Sequence, residues 1–212
     1  MFAGCTVIVT GGGGDVGQAV CLQVAQQGAT RVIAVDLRRA ALDVLEARFA
    51  AKAADACAAV PEVVCIVADL TDKEVVETAL YASDVLGPVP HRPVHALIHC
   101  AGGAVDQLAE EPPVFPSLAD FRASYRLNVE TALNCIHVCL PALLKGAAGL
   151  GDTDPVPFRE PGEDPTPPSF PDGEEFLHSA GIVLVSSVNA VSGGMILLLS
   201  PSLCGPVFSQ HV

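Results

Sequence analysis

Apolar residues along most of the chain fall into short runs set between longer stretches with helical spacing. Cys5–Thr10 is a run of strand type, and Asp15–Gln27 follows it with a helical pattern that Gly28 closes as a C-cap. Arg31–Asp36 reads as a second strand, Arg39–Ala56 as an Ala- and Leu-rich helix, and Val63–Ala68 as a third strand. Thr71-Asp72-Lys73-Glu74 has the form of a capping box, with the Thr71 hydroxyl accepting from the Glu74 N–H, so a helix is expected from there to about Ser83. His95–Cys100 gives a fourth strand, Ser117-Leu118-Ala119-Asp120 the capped start of a long helix to about Lys145, and Gly181–Val185 a fifth strand. Apolar strands alternating with helices make a parallel sheet covered on both faces, because each crossover lays its helix on one face or the other. The expected architecture is α/β, a doubly wound parallel sheet of Rossmann type in a single domain over residues 1–212.

Two segments break the rhythm. Between Gly149 and Glu175 stand seven prolines and eight acids against Arg159 alone. Prolines neither continue a helix nor join a sheet interior, and the like charges repel, so residues 149–178 are expected to form a surface insert. Residues 191–212 are an atypical tail with neither a helical period nor clean alternation.

Composition narrows the function classes. With 212 residues, 50% of them hydrophobic, the chain is long enough for one core that buries roughly 70% of the unfolded surface. The net charge of −13 repels phosphate backbones and anionic membranes, so neither nucleic acid nor a membrane is an expected partner. There is no basic n-region at the N-terminus, and Met195–Leu199 is far below the roughly 20 residues that span a bilayer. The eight cysteines are scattered singly, without a C-x-x-C pair or a Cys/His cluster at metal spacing. They read as buried free thiols of a cytoplasmic protein with no metal site. Cys135 and Cys139, four apart on the long helix, read as core.

The candidate chemistry lies in Val7-Ile8-Val9-Thr10-Gly11-Gly12-Gly13-Gly14-Asp15-Val16-Gly17, where a glycine run joins the first strand to the first helix. Such a turn leaves backbone N–H groups facing outward at the positive end of the helix dipole, where they can receive an anion. Glycine suits positions where the chain turns sharply or where a Cβ would hold a pyrophosphate away from the amides. Asp36, at the end of the second strand and nineteen residues after Gly17, stands where a ribose-binding acid is expected. A P-loop is excluded, because Val16-Gly17-Gln18 supplies no Gly-Lys-Ser/Thr. A nucleoside-binding methyltransferase shares the glycine loop and the acid and stays open on these features alone. Asp15, at the helix start, gains about 0.3–1 kcal/mol from the dipole while facing water.

Taken in order, these segments resemble the short-chain dehydrogenase/reductase family. Thr10–Gly17 is similar to its T-G-x-x-x-G-x-G loop, Asp69-Leu70-Thr71 to the segment beside the adenine, and His99-Cys100-Ala101-Gly102 to its N-N-A-G. Asn128, in Arg126-Leu127-Asn128-Val129, matches the asparagine of the family's fourth helix, and Val185-Ser186-Ser187-Val188 the strand end with its catalytic serine. The resemblance covers about 5–147 and 180–193. It implies strand order 3-2-1-4-5 and cofactor contacts from Gly11, Gly14, Asp15, Val16, Gly17, Asp36, Asp69, Leu70, Cys100, Ala101 and Gly102. It also implies that Ser187 bonds the substrate oxygen of an alcohol or carbonyl and that Asn128 holds a relay water.

The sequence departs from that pattern in three places. Asp15 replaces the middle glycine of the loop, His99 and Cys100 replace two asparagines, and no Tyr-x-x-x-Lys follows Ser187. A truncated or frame-altered form is therefore expected, impaired or inactive as an NAD-dependent oxidoreductase. The alternatives are a non-catalytic NAD-binding module and a non-functional isoform. Without a sixth family strand, the fifth strand becomes an open edge and the long helix loses a covering neighbour. Association or aggregation through these two surfaces is expected, unless Met195–Leu199 folds back onto the edge. NAD is preferred over NADP, since a 2′-phosphate roughly 5 Å from Asp36 at an effective dielectric near 20 is repelled by roughly 3 kcal/mol.

Overall fold

The computed structural model describes residues 2–55, 61–82, 85–87, 92–103, 117–151, 180–185 and 196–197. In chain order these form β1 (Thr6–Thr10), α1 (Asp15–Gln26), β2 (Arg31–Asp36), α2 (Arg39–Asp55), β3 (Glu62–Val67) and α3 (Lys73–Leu80). β4 (Ala96–His99), α4 (Leu118–Tyr125), a π turn (Arg126–Glu130), α5 (Thr131–Ala147), β5 (Gly181–Leu184) and β6 (Ile196–Leu197) follow. The sheet runs β3-β2-β1-β4-β5-β6. Its first five strands are parallel in the expected 3-2-1-4-5 order, and β6 is antiparallel to β5.

Alternation along the strands divides the core between two faces. Ile8, Ile33 and Leu97 share one cluster with Val76 and Leu80 of α3 and with Cys135, Val138, Cys139, Ala142 and Leu143 of α5. Val7, Val9, Val32, Ala34 and Ile98 share the other with Cys21, Leu22 and Val24 of α1 and Leu42, Leu45 and Phe49 of α2. Val7, Ile8 and Val9 have no exposed surface, which is why β1 reads as an unbroken apolar run. The Tyr81 hydroxyl, at the C-terminal cap of α3, donates to the Val138 carbonyl and links the two helices of the first face.

Several expected boundaries are corrected. α3 is capped by Asp72, whose carboxylate accepts from the Glu74 and Val75 N–H groups, while the Thr71 hydroxyl and N–H both donate back to Asp69. Ser117 does begin its helix with a capping box to Asp120. The helix runs on to Ala147 as expected, but with a π turn inside it, where the Thr131 N–H reaches back to the Arg126 carbonyl. Leu118–Ala147 is also the one stretch among the described residues long and apolar enough to cross a membrane by length and composition. Part of that apolarity is core, since α5 packs against the sheet.

The edge of β5 is met as the folded-back alternative anticipated. Ile196 lies opposite Val183 and Leu197 opposite Ile182. Beyond Gly149–Gly151, the acidic insert lies outside the described residues, as do Ser187 and the tail other than Ile196–Leu197.

Candidate dinucleotide-binding site

Apart from Asn128, which lies in the π turn of the long helix, every described candidate lies at or just beyond the carboxyl end of a parallel strand or in the first turn of α1. Register places Thr10 beside Val35 and His99, and His99 beside Leu184, so the loops after β1, β2 and β4 emerge side by side. The ladder continues into them, with Gly12 N–H to the Val35 carbonyl at 3.1 Å and Cys100 N–H to the Thr10 carbonyl at 3.0 Å. This is the edge where open parallel sheets bind ligands, at the point where strand order reverses between β1 and β4.

The glycine loop is fixed at both ends of one residue. Gly13 N–H donates to Asp36 Oδ2 at 3.0 Å, and Gln18 Nε2 donates to the Gly13 carbonyl at 2.8 Å. Gln18 is itself held by Arg48 Nη1 from α2, at 2.9 Å. Gly11 has φ +64°, and a Cβ there would meet Ala101 N at 2.7 Å, so the β1 and β4 loops touch at this point. At Gly17 a Cβ would fall 2.0 Å from the Gly11 carbonyl oxygen, so glycine is what lets α1 approach the loop. A Cβ on Gly14 would meet nothing closer than 3.4 Å. Gly14 is the N-cap of α1, which leaves the N–H groups of Asp15, Val16 and Gly17 in the first turn, where a helix has no acceptors of its own. Asp15 is exposed and Val16 is 54% exposed, as a surface for a ligand requires.

The remaining candidates are anchored one by one. Asp36 is 8% exposed, and its second oxygen accepts from Arg38 N–H at 3.0 Å. Asp69 Oδ1 accepts from the Thr71 N–H and hydroxyl, and the hydroxyl bond holds its carboxyl below the usual range. The Leu70 carbonyl accepts from Asn134 Nδ2 at 3.0 Å. Burial pushes the Cys100 thiol up to about 11, so it is protonated at neutral pH. Asn128 is engaged on both sides of its amide, with Oδ1 accepting from Gly103 N–H at 3.0 Å and Nδ2 donating to the Gly103 and Ser124 carbonyls at 2.8 Å. His99 is buried between two hydroxyls, Thr10 Oγ1 at 2.7 Å from Nδ1 and Thr131 Oγ1 at 3.3 Å from Nε2. Burial drives its pKa down to about 4, against the opposing effect of the Ala101 backbone.

Sequence reasoning missed Gln18, Arg48, Thr10 and Thr131 as supports of this edge. Gln18 did carry a signal, being a polar residue on the buried side of α1 with Cys21 and Leu22. Among the described residues no three His, Cys, Asp or Glu side chains stand together as a metal site would need.

The fold and this edge define a dinucleotide-binding α/β protein. Residues 5–150 match the sequence profile described as short chain dehydrogenase, and the chain belongs to that family. No curated protein matches it significantly. Among solved structures it is similar to a 3-oxoacyl-[acyl-carrier protein] reductase with bound NAD from Brucella melitensis, at 16% identity and TM-score 0.55 over 68% of this chain and 50% of that one. A short chain dehydrogenase/reductase from Burkholderia phymatum in complex with NAD matches at 21% identity and TM-score 0.50, over 69% of this chain and 46% of the other. The citronellol catabolism dehydrogenase of Pseudomonas aeruginosa PAO1 matches at 23% identity and TM-score 0.53, over 68% and 53%. The chain thus spans about half the length of these structures.

Proposed function

We propose that this chain binds NAD(H) at the carboxyl edge of its sheet, as the nucleotide-binding part of an oxidoreductase acting on an alcohol or carbonyl. The observation that carries this reading is the Gly13 peptide, clamped by Asp36 and Gln18 beside the open first turn of α1. In it the Asp15, Val16 and Gly17 amides hold the diphosphate, Asp36 lies toward the ribose and Asp69-Leu70 toward the adenine, with Cys100–Gly102 beside the nicotinamide half. The cofactor, when bound, supplies the hydride acceptor or donor. Two bound NAD molecules among the similar structures support a nicotinamide cofactor. The Asp36 carboxylate favours NAD over NADP, and six free thiols among the described residues suit a reducing cytoplasm.

Catalysis by this sequence is weak on the same reading. A positioned acid contributes about 10²–10⁴ in rate to such a reaction, and neither Tyr81 nor Tyr125 has a lysine four residues on. That absence favours, as a second reading, an NAD-binding module without turnover. Calorimetric titration of the chain with NADH and NADPH tests the first proposal, with saturable binding expected and NADH the tighter. Absence of saturation with either would refute it. Ketone- and aldehyde-dependent NADH oxidation separates the two readings, and turnover above about 1 s⁻¹ would contradict weak catalysis.

A further inference from the structure

The hydroxyl of Thr131 has a single proton, and it is directed to the Leu127 carbonyl at 2.6 Å. Toward His99 the same oxygen can therefore only accept, which requires the imidazole proton on Nε2. Nδ1 is then bare and receives the Thr10 hydroxyl proton. One directional chain results, from Thr10 through His99 and Thr131 to Leu127. Both ring nitrogens are engaged and the side chain is 3% exposed, so His99 does not reach a ligand at the edge.

The end of this chain falls where the helix changes form. Thr131 takes the Leu127 carbonyl with its side chain, while its N–H goes one residue further back, to Arg126. A Ser or Thr hydroxyl bonded to the carbonyl four residues before it is a known way to bend a helix. The extra residue of the π turn rotates everything preceding it by about 100° relative to α5. Asn128 sits inside that turn, with its amide on Gly103 of the β4 loop.

We propose that His99, protonated on Nε2, is the positioning residue that sets the π turn through Thr131 and so holds Asn128 against Gly103. The role is independent of whether the edge binds a dinucleotide, and it is tested without one. In the unmodified 212-residue chain at neutral pH, nitrogen NMR of the imidazole should show a protonated Nε2 and a bare Nδ1. Thr131→Val, which removes the hydroxyl and keeps the shape, should speed exchange of the Gly103 amide and the Asn128 side-chain amide about tenfold, the equivalent of one net hydrogen bond. Thr131→Ser should restore both rates to within about twofold, which a packing role alone would not do. A proton on Nδ1, or unchanged exchange in a folded Thr131→Val chain, overturns the proposal. Should Thr131→Val fail to fold, the tautomer in the unmodified chain decides alone.

Discussion

The Gly13 N–H and the Asp36 carboxylate, 23 residues apart in sequence, are joined by a hydrogen bond of 3.0 Å. The acid expected to read the ribose therefore also shapes the loop in front of it. A second oxygen engaged by Arg38 N–H leaves the carboxylate oriented, with two lone-pair sites still unfilled.

Asp36→Asn should consequently weaken both NADH and NADPH. Loss of a charge-assisted hydrogen bond of about 1.5–3 kcal/mol raises each dissociation constant about 10–100-fold through the loosened loop. Relief of 2′-phosphate repulsion partly offsets this for NADPH alone, so the preference for NADH narrows. Calorimetry on the variant checks it, and an absolute gain in NADPH affinity would mean that the Gly13 bond contributes nothing.

Gly14 and Gly17 should behave oppositely. A methyl at Gly17 is driven into the Gly11 carbonyl, with 2.0 Å between them, and both are backbone-bound. Gly17→Ala is expected to lose about 3 kcal/mol or not to fold. Gly14, with φ −75° and an open Cβ direction, accepts alanine with its stability within about 1 kcal/mol. Denaturant melts measure both, and similar losses at the two positions would show that the loop is not built as described.

How far this edge could be read from sequence depended on how local each cause was. β1, β2 and the glycine loop were legible because a strand buried on both faces is apolar throughout and the turn after it is marked by Gly11. The cap of α3 was placed one residue early because Thr71 and Asp72 are both cap-forming types. In the structure the Thr71 hydroxyl turns back to donate to Asp69, and the Asp72 carboxylate accepts from the first helical N–H groups. The π turn left no periodic trace, since the residue holding Thr131 is His99, 32 positions away on another strand. Pairing of Ile196–Leu197 with β5 was foreseen only as one of two outcomes for an open edge.

His99 should also make stability pH-dependent. Its folded pKa is about 4, against 6.5 for the free group, so between these values the unfolded chain binds the additional proton. This contribution is complete above pH 6.5 and falls away as pH drops toward 4, by about 3 kcal/mol in all. His99→Asn keeps a donor and an acceptor and does not titrate there. Stability curves of the two chains from pH 7.5 to 4.5 should converge as the pH falls. Parallel curves would place the imidazole in a wetter setting than its 3% exposure indicates.

The helix that carries Asn128 shows a second apolar face. Leu118 is 64% exposed, Phe121 64%, Tyr125 47% and Leu133 56%, three or four residues apart along the helix until Val129, itself 38% exposed. Arg126 and Glu130, paired at 3.4 Å, provide a polar margin. With β5 already met by β6, this face is, of the two surfaces expected to associate, the one still open among the described residues, and the chain is expected to sediment as a dimer at micromolar concentration. Burying a charge without a partner costs several kcal/mol, so Phe121→Glu with Tyr125→Glu should raise the dimer dissociation constant at least about 100-fold. Added salt should not dissolve the unmodified dimer, because an apolar contact is not screened. A chain that stays monomeric at about 100 μM, well above the dissociation constants of stable interfaces, would show that this face is not used between copies.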